Sequence, residues 1–340
     1  MLLMRLIKFF WVLFILGIAF KGYNQTPKIK ILQTGNKVSI RGLSVVNNKV
    51  IWISANNGTV ARSINGGKEF EWITVTGYEK RDFRDIEAFD KNTALIMGVD
   101  APAIILKTIN GGKSWKKVLE DSTKGMFLDA MDFKDKNHGM VVGDPIDDQI
   151  YLSETTDQGN TWKRHETNSL TNSNVTNKGE AFFASSGTNI KLVGDQMFLV
   201  TGGLISRLRV FNNWYQLPLL QGKESTGANS IAVNHRSAVV VGGDFSKDTI
   251  SSGNCVLINL SKNLACTIPE RAPHGYRSCV IYLSDNVLVA CGTAGIDMSK
   301  DGGKNWELIS KEGFHVVQKA KKGNAVFLAG SNGRIAELID

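Results

Sequence analysis

The chain has 340 residues, 42% hydrophobic and 21% charged, with a formal net charge of +8. Its basic residues are dispersed among Asp and Glu, which excludes a nucleic-acid surface built on a stripe of charge and reads as solvated surface. Five scattered His and four Cys without a CxxC spacing exclude a metal site of ordinary zinc-ligand pattern.

In chain order, the first element is an address. Arg5 and Lys8 precede an apolar run from Phe9 to Phe20 that is too short to span a bilayer comfortably. The pattern is that of a secretory signal peptide over residues 1–22, with an uncleaved N-terminal anchor as the alternative. Lys21 and Gly22 after Ala19 and Phe20 make a poor cleavage site, and no Cys near the run invites lipidation. Export to a periplasmic or extracellular space is therefore expected. Removing Arg5, Lys8 and Lys21 lowers the net charge from +8 to +5. No second long apolar run follows, so no membrane span is expected in the mature chain, and a monomer is expected.

Beyond residue 23 the chain keeps a rhythm of short apolar strands ending in small residues. They are Val50–Ala55, Ala94–Gly98, Gly139–Gly143, Met197–Gly202, Ala238–Gly242, Val287–Gly292 and Ala325–Gly330. Each follows a strand with a polar start: Arg41–Val46, Arg84–Phe89, Leu128–Phe133, Glu180–Phe183 with its continuation, Asn229–Val233, Arg277–Ile281 and His315–Gln318. Short strands, turn signals and no helical period predict an all-β chain.

Four turns share a pattern of hydroxyl residue, spacer, Asn or Asp, Gly and then an aromatic. They begin at Ser63, Thr108, Thr155 and Ser299, at successive separations of 45, 47 and 144 residues. The last interval is close to three times the others, so the unit is a supersecondary repeat. Four strands per unit and seven units predict a seven-bladed β-propeller, a single domain over residues 23–340. Strand A of each blade lines the channel, D is outermost, and the patterned turn joins C to D. The last blade has Arg334–Leu338 as its C strand. Lys28–Leu32 supplies its D strand and closes the ring without an open edge.

Asn65, Asn110, Asp157 and Asp301 are placed to accept backbone hydrogen bonds in Asx-type turns, with Gly supplying positive φ. Trp115, Trp162 and Trp306 begin strand D and are expected to pack between blades. These acidic and amide residues lie on separate blades at outer turns, too far apart for joint catalysis or calcium binding, so their role is structural. The blades near Trp214 and Leu264 keep the strands and lack the turn. Cys255 with Cys266, and Cys279 with Cys291, fall roughly opposite across two predicted hairpins. Disulfides are possible in an exported chain, and four buried thiols are the alternative.

The four turns resemble the Asp-box, or BNR, repeat of sialidases and other exported glycosidases. Arg41–Val46 with Trp52 and Ser63–Gly67 is more similar to the photosystem II stability and assembly factor family, and most similar to its relatives in non-photosynthetic bacteria. Asp82–Phe89, Gly143-Asp144-Pro145 and Gly179–Gly187 extend that resemblance over nearly all of the mature chain. It implies a propeller acting as a binding or assembly module. Members of the bacterial group also carry glycosyl hydrolase or oxidoreductase labels. No GxGxxG between strand and helix, and no flavin or haem signature, supports the second label. No cofactor is expected.

Candidate site residues lie at the mouth opposite the patterned turns. Arg41, Arg84 and Arg277 start strand A in three blades, and Glu180 and His315 take similar positions in two others. Asp85 and Glu87 follow Arg84, while Asp144 and Asp244 sit on B–C loops. Three converging arginines would bind a carboxylate or phosphate through charge-assisted hydrogen bonds. The sialidase resemblance implies such a triad. However, sialidases have six blades, Gly follows Arg41 where they carry Arg-Ile-Pro, and no Tyr–Glu nucleophile pair can be assigned. Glycoside hydrolysis would need two carboxylates across the scissile bond, for which Glu180 with Asp144 or Asp244 are candidates. The alternative is structural pairing of the arginines with Asp85, Glu87 and Asp129. The readings left are a protein partner or acidic glycan bound in the funnel, or catalysis there.

Overall fold

The computed structural model describes residues 27–165 and 174–339. The leader expected at 1–22 lies outside the described residues. Among the described residues no helix is long and apolar enough to cross a membrane.

Seven antiparallel sheets form seven four-stranded blades, the sheet of blade 5 being extended at its inner edge by two short strands, Glu180–Ala181 and Gly202–Gly203. Blade 1 is Ile40–Val45, Ile51–Ala55, Thr59–Ser63 and Glu71–Thr74; blade 2 is Phe83–Ala88, Ala94–Gly98, Ala103–Thr108 and Lys116–Asp121. Blade 3 is Leu128–Phe133, Gly139–Ile146, Gln149–Thr155 and Lys163–Arg164. Blade 4 is Ile190–Val193, Gln196–Val200, Arg207–Val210 and Asn213–Gln216, and blade 5 is Thr226–Asn234, Ser237–Asp244, Cys255–Asn259 and Ala265–Thr267. Blade 6 is Cys279–Tyr282, Leu288–Gly292, Gly295–Ser299 and Glu307–Ser310. Blade 7 is Val316–Lys319, Val326–Ala329 and Ile335–Ile339, completed by Lys28–Gln33 from the other end of the chain. Lys28 pairs with Ile339 and Lys30 with Glu337, the closure expected from the sequence.

The B strands are continuous apolar runs because both of their faces are buried between neighbouring blades; Ile51–Ala55, Ala94–Gly98 and Leu288–Gly292 are buried at every position. The outer strands carry polar residues toward solvent, as in Lys116–Asp121. The patterned turns fasten one blade to the next. In each, the hydroxyl donates to the Asx side chain and accepts the N–H of the second Gly position; for Thr108 these bonds, to Asn110 and from Gly112, are both 3.0 Å. Ser63, Thr155 and Ser299 repeat the arrangement with Asn65, Asp157 and Asp301.

Gly112 has φ +88°, and a Cβ there would come within 2.7 Å of Ile73 on blade 1. Side-chain cations add to the clasp: Arg62 of blade 1 donates to the Lys91 carbonyl of blade 2, and Lys107 of blade 2 donates to Gln158 and Asn160 of blade 3. Trp306 is fully buried with its indole N–H on the Gly303 carbonyl at 2.8 Å. Trp115 meets Trp52 of blade 1 edge-on at 6.4 Å, and Trp162 packs on Phe133 at 6.1 Å.

Two expectations need correction. Glu180–Phe183 does not begin the inner strand of blade 4. Glu180 and Ala181 pair with Gly203 and Gly202, and the inner strand starts at Ile190. Between them, the small polar run Phe183-Ala-Ser-Ser-Gly-Thr-Asn189 crosses the channel. The Arg41 guanidinium donates to the Ser185 carbonyl, Ser186 donates to the Ser278 carbonyl, and Thr188 donates to Ser230. Gly187 closes the far side, where a Cβ would lie 2.4 Å from the Asp85 carboxylate. This segment ties blade 4 to blades 1, 2, 5 and 6 and plugs the channel.

The second correction concerns the thiols. Cys255 stands opposite Val241, and Cys266 stands opposite Ile258, so these two do not face each other. Cys279 is directly opposite Cys291. All four thiols are free, and all but Cys266 are buried.

Candidate functional site

On one side of the plug lies a chamber of about 400 Å³. Arg41, Arg84, Asn229, His315 and Ser185 supply its polar surface, and Phe127, Phe182, Phe183, Phe245 and Tyr276 its aromatic surface. Local backbone geometry puts the polar residues there. In blade 1 the ladder slips between Ile40 and Gly42, in blade 2 between Phe83 and Asp85, in blade 3 between Leu128 and Ala130, and in blade 5 between Ala228 and Ser230. The extra residue in each case is Arg41, Arg84, Asp129 or Asn229. A β-bulge re-aims the side chain of its extra residue, and three of these four residues, Arg41, Arg84 and Asn229, line the chamber.

The two chamber arginines differ in their partners. Arg84 donates to Asp82 at 2.8 Å and lies over the Phe127 ring. Arg41 has no carboxylate partner among the described residues; its one bond goes to the Ser185 carbonyl at 3.4 Å. Burial, followed by repulsion from Arg84, holds the Arg41 guanidinium below its ordinary range. It is a desolvated cation short of an anion. His315 is buried and neutral: burial, with Arg41 next, lowers its pKa to about 4. Its Nδ1–H donates to the Ile40 carbonyl at 2.9 Å, and the Ser331 hydroxyl donates to Nε2, a tautomer assigned from these partners.

The aromatic wall is a ladder. Phe183 meets Phe245 at 5.6 Å and Phe245 meets Tyr276 at 6.3 Å, both edge-on, a favoured arrangement for aromatic rings. The Tyr276 hydroxyl donates to Asn229 at 2.8 Å, and burial raises its pKa to about 12. Phe245 is 49% exposed at the rim.

The remaining expected site residues do not join this chamber. Arg277 is fully buried and donates to Asp297 and to the Tyr276 carbonyl; Asp297 also receives the His274 ring. The expected arginine triad is therefore a pair. None of the three arginines pairs with Asp85, Glu87 or Asp129. Asp85 sits beneath the plug, accepting the Ile86 and Met131 N–H groups, and burial holds its carboxyl well above the ordinary range. Glu87 faces the opposite mouth and bonds Lys321.

The three carboxylates proposed for catalysis are dispersed as well. Glu180 is clamped by Arg207 at 2.6 Å, by the Thr201 hydroxyl and by the Asn177 N–H. Asp244 ends strand B of blade 5 and accepts the Ser246 hydroxyl and N–H. Asp144, within strand B of blade 3, accepts the Phe182 N–H at 2.9 Å and donates its own N–H to the Phe127 carbonyl. Burial raises the Asp144 carboxyl to about 6. Asp129 nearby is fully buried, and burial followed by repulsion from Asp144 holds its carboxyl well above the usual range. Among the described residues no cluster of His, Cys, Asp and Glu could hold a metal ion.

Sequence reasoning missed Asn229, Tyr276 and the plug as parts of the site. A run of small residues after Phe183 was the available signal, since such residues fit where a backbone passes close to others.

No protein-family model matches the chain, and no curated protein matches it. Solved structures do. YCF48 bound to a D1 peptide aligns with a TM-score of 0.66 at 14% identity, over 93% of this chain and 96% of that one. YCF48 from Cyanidioschyzon merolae aligns at 0.64 with 17% identity, over 92% and 98%. The WD40 propeller domain of Doa1 aligns at 0.59 with 11% identity, over 92% and 97%. The chain is thus similar in fold to YCF48 along nearly its whole length.

Proposed function

We propose that this chain is an exported protein-binding module that receives a segment of its partner in the Arg41–Arg84 chamber. The observation that carries this reading is Arg41: a half-buried guanidinium without a carboxylate partner among the described residues, beside an aromatic wall. An Asp or Glu side chain, or a terminal carboxylate, would complete it with charge-assisted hydrogen bonds. An apolar side chain beside that acid would cover the exposed face of Phe245, the kind of aromatic anchor on which binding energy concentrates. Two further points support the reading. The sequence resembles the photosystem II stability and assembly factor family, and its fold neighbour YCF48 was solved with a peptide bound.

Catalysis is less well supported. A glycosidase needs two carboxyl groups facing one scissile bond, and Glu180 and Asp244 are each closed in hydrogen bonds to their own surroundings.

The test is a display library of random peptides panned on the purified protein, with the Arg41→Ala/Arg84→Ala double variant as counter-selection. The expected result is enrichment of sequences that pair an acidic group with an apolar one and fail to bind the variant. Enriched peptides that bind both proteins equally would overturn the assignment.

A further inference from the structure

The plug leaves a second chamber at the opposite mouth, about 290 Å³ in volume, which the proposed partner site does not use. Its walls differ in kind. Blades 5 and 6 contribute an apolar arc of Ile231, Val233, Val280, Ile281 and the Tyr282 ring. Blades 2, 3, 4 and 7 contribute a charged arc of Glu87, Asp132, Lys191, Lys319 and Lys321.

Most of that charge is cancelled locally. Lys321 bonds Glu87, the Ser44 hydroxyl and the Ala88 carbonyl, which uses all three of its donors. Lys191 meets one oxygen of Asp132 at 2.7 Å, and the Leu192 N–H donates to the other. Asp85, under the plug, is satisfied by backbone N–H groups.

Lys319 is the exception. Its ammonium donates to the Leu283 carbonyl at 2.6 Å, and no carboxylate faces it among the described residues. Two of its three donors are left for a ligand. Leu283 directly follows the inner strand of blade 6, so Lys319 stands where the charged arc meets the apolar one.

We propose that this second chamber binds a small amphiphilic carboxylate, with its acid group on Lys319 and its hydrocarbon against the arc of blades 5 and 6. Among the described residues lining the chamber, Lys319 is the ammonium without a carboxylate partner, and burial holds the Asp85 carboxyl toward its neutral form. A monoanion fits Lys319, and a charge-assisted bond from ammonium to carboxylate is stronger than one to a neutral oxygen. Each methylene that leaves water against the apolar arc adds about fourfold to the affinity. The cavity has room for about ten waters, which suits an acid of about eight carbons.

The experiment titrates octanoate, octanol and octylamine onto the folded chain, following calorimetric heat and melting temperature. A ligand that binds only the native state raises the melting temperature with concentration. Octanoate is expected to do so and to bind at least about tenfold more tightly than the alcohol or the amine. Lys319→Gln is expected to lose that tenfold and Lys319→Arg to keep it. The proposal is overturned if octanol matches octanoate, if Lys319→Gln retains full affinity, or if octanoate produces no shift.

Discussion

Arg41 and Arg277 occupy equivalent places in the sequence pattern and opposite physical situations. The position of both at the start of an inner strand was legible, since a polar residue before an apolar run marks it. Their fates were not, because the partner of Arg277 is Asp297 on another strand of the same blade, and Arg41 has no such neighbour. Replacing Arg277 by Ala strands a buried Asp297 and is expected to destabilise the protein by about 3–5 kcal/mol in denaturant titration. Arg41→Ala removes a cation that bonds no carboxylate among the described residues and is expected to change stability by less than about 1 kcal/mol.

The titrating residues make a second prediction at this scale. Asp144 has a folded pKa of about 6, above its unfolded value, so it adds stability that is complete below about pH 4 and lost as the pH rises through 6. His315, lowered to about 4, does the reverse: its contribution is present above about pH 6.5 and is lost as the pH falls toward 4. The two slopes oppose each other in the same window. Asp144→Asn is therefore expected to lose about 2 kcal/mol more than wild type between pH 7 and 4.5, and His315→Gln to lose less. Parallel stability curves for the three proteins would contradict this.

Among the elements, the patterned turns were the most legible part of the chain. A hydroxyl, an Asx and a Gly at fixed offsets form a closed set of local hydrogen bonds, and local bonds are what a sequence shows best. Thr108→Val loses the bonds to Asn110 and from Gly112, and is expected to cost about 1–2 kcal/mol.

The plug was misread for a related reason. Glu180–Phe183 has the look of a strand start, and nothing local announces that the next residues are held by Arg41, Ser230 and Ser278 from distant blades. The bulges that aim Arg41, Arg84, Asp129 and Asn229 were hidden too, because a one-residue slip in pairing leaves no compositional trace. Gly187→Ala puts a methyl group onto the Asp85 carboxylate at a φ of +65°. It is expected to cost about 1–3 kcal/mol and to loosen both chambers, visible as faster amide exchange in residues 183–189. Exchange unchanged in that segment would show that Gly187 does not hold the plug in place.

For the whole molecule, seven blades with buried inner strands form one closed ring, and the plug divides its channel into two chambers of different chemistry. One is aromatic and carries an unmatched arginine; the other is half apolar and carries an unmatched lysine. Blade count and ring closure followed from repeat spacing alone, whereas the division of the channel required the fold. We propose that the Arg41 chamber takes up an acidic segment of a protein partner, and titration calorimetry of a library-selected peptide against wild type and Arg41→Ala is the measurement that decides it. Binding to the variant is expected to be at least about tenfold weaker at an unchanged melting temperature. Equal affinity for the two proteins would contradict it.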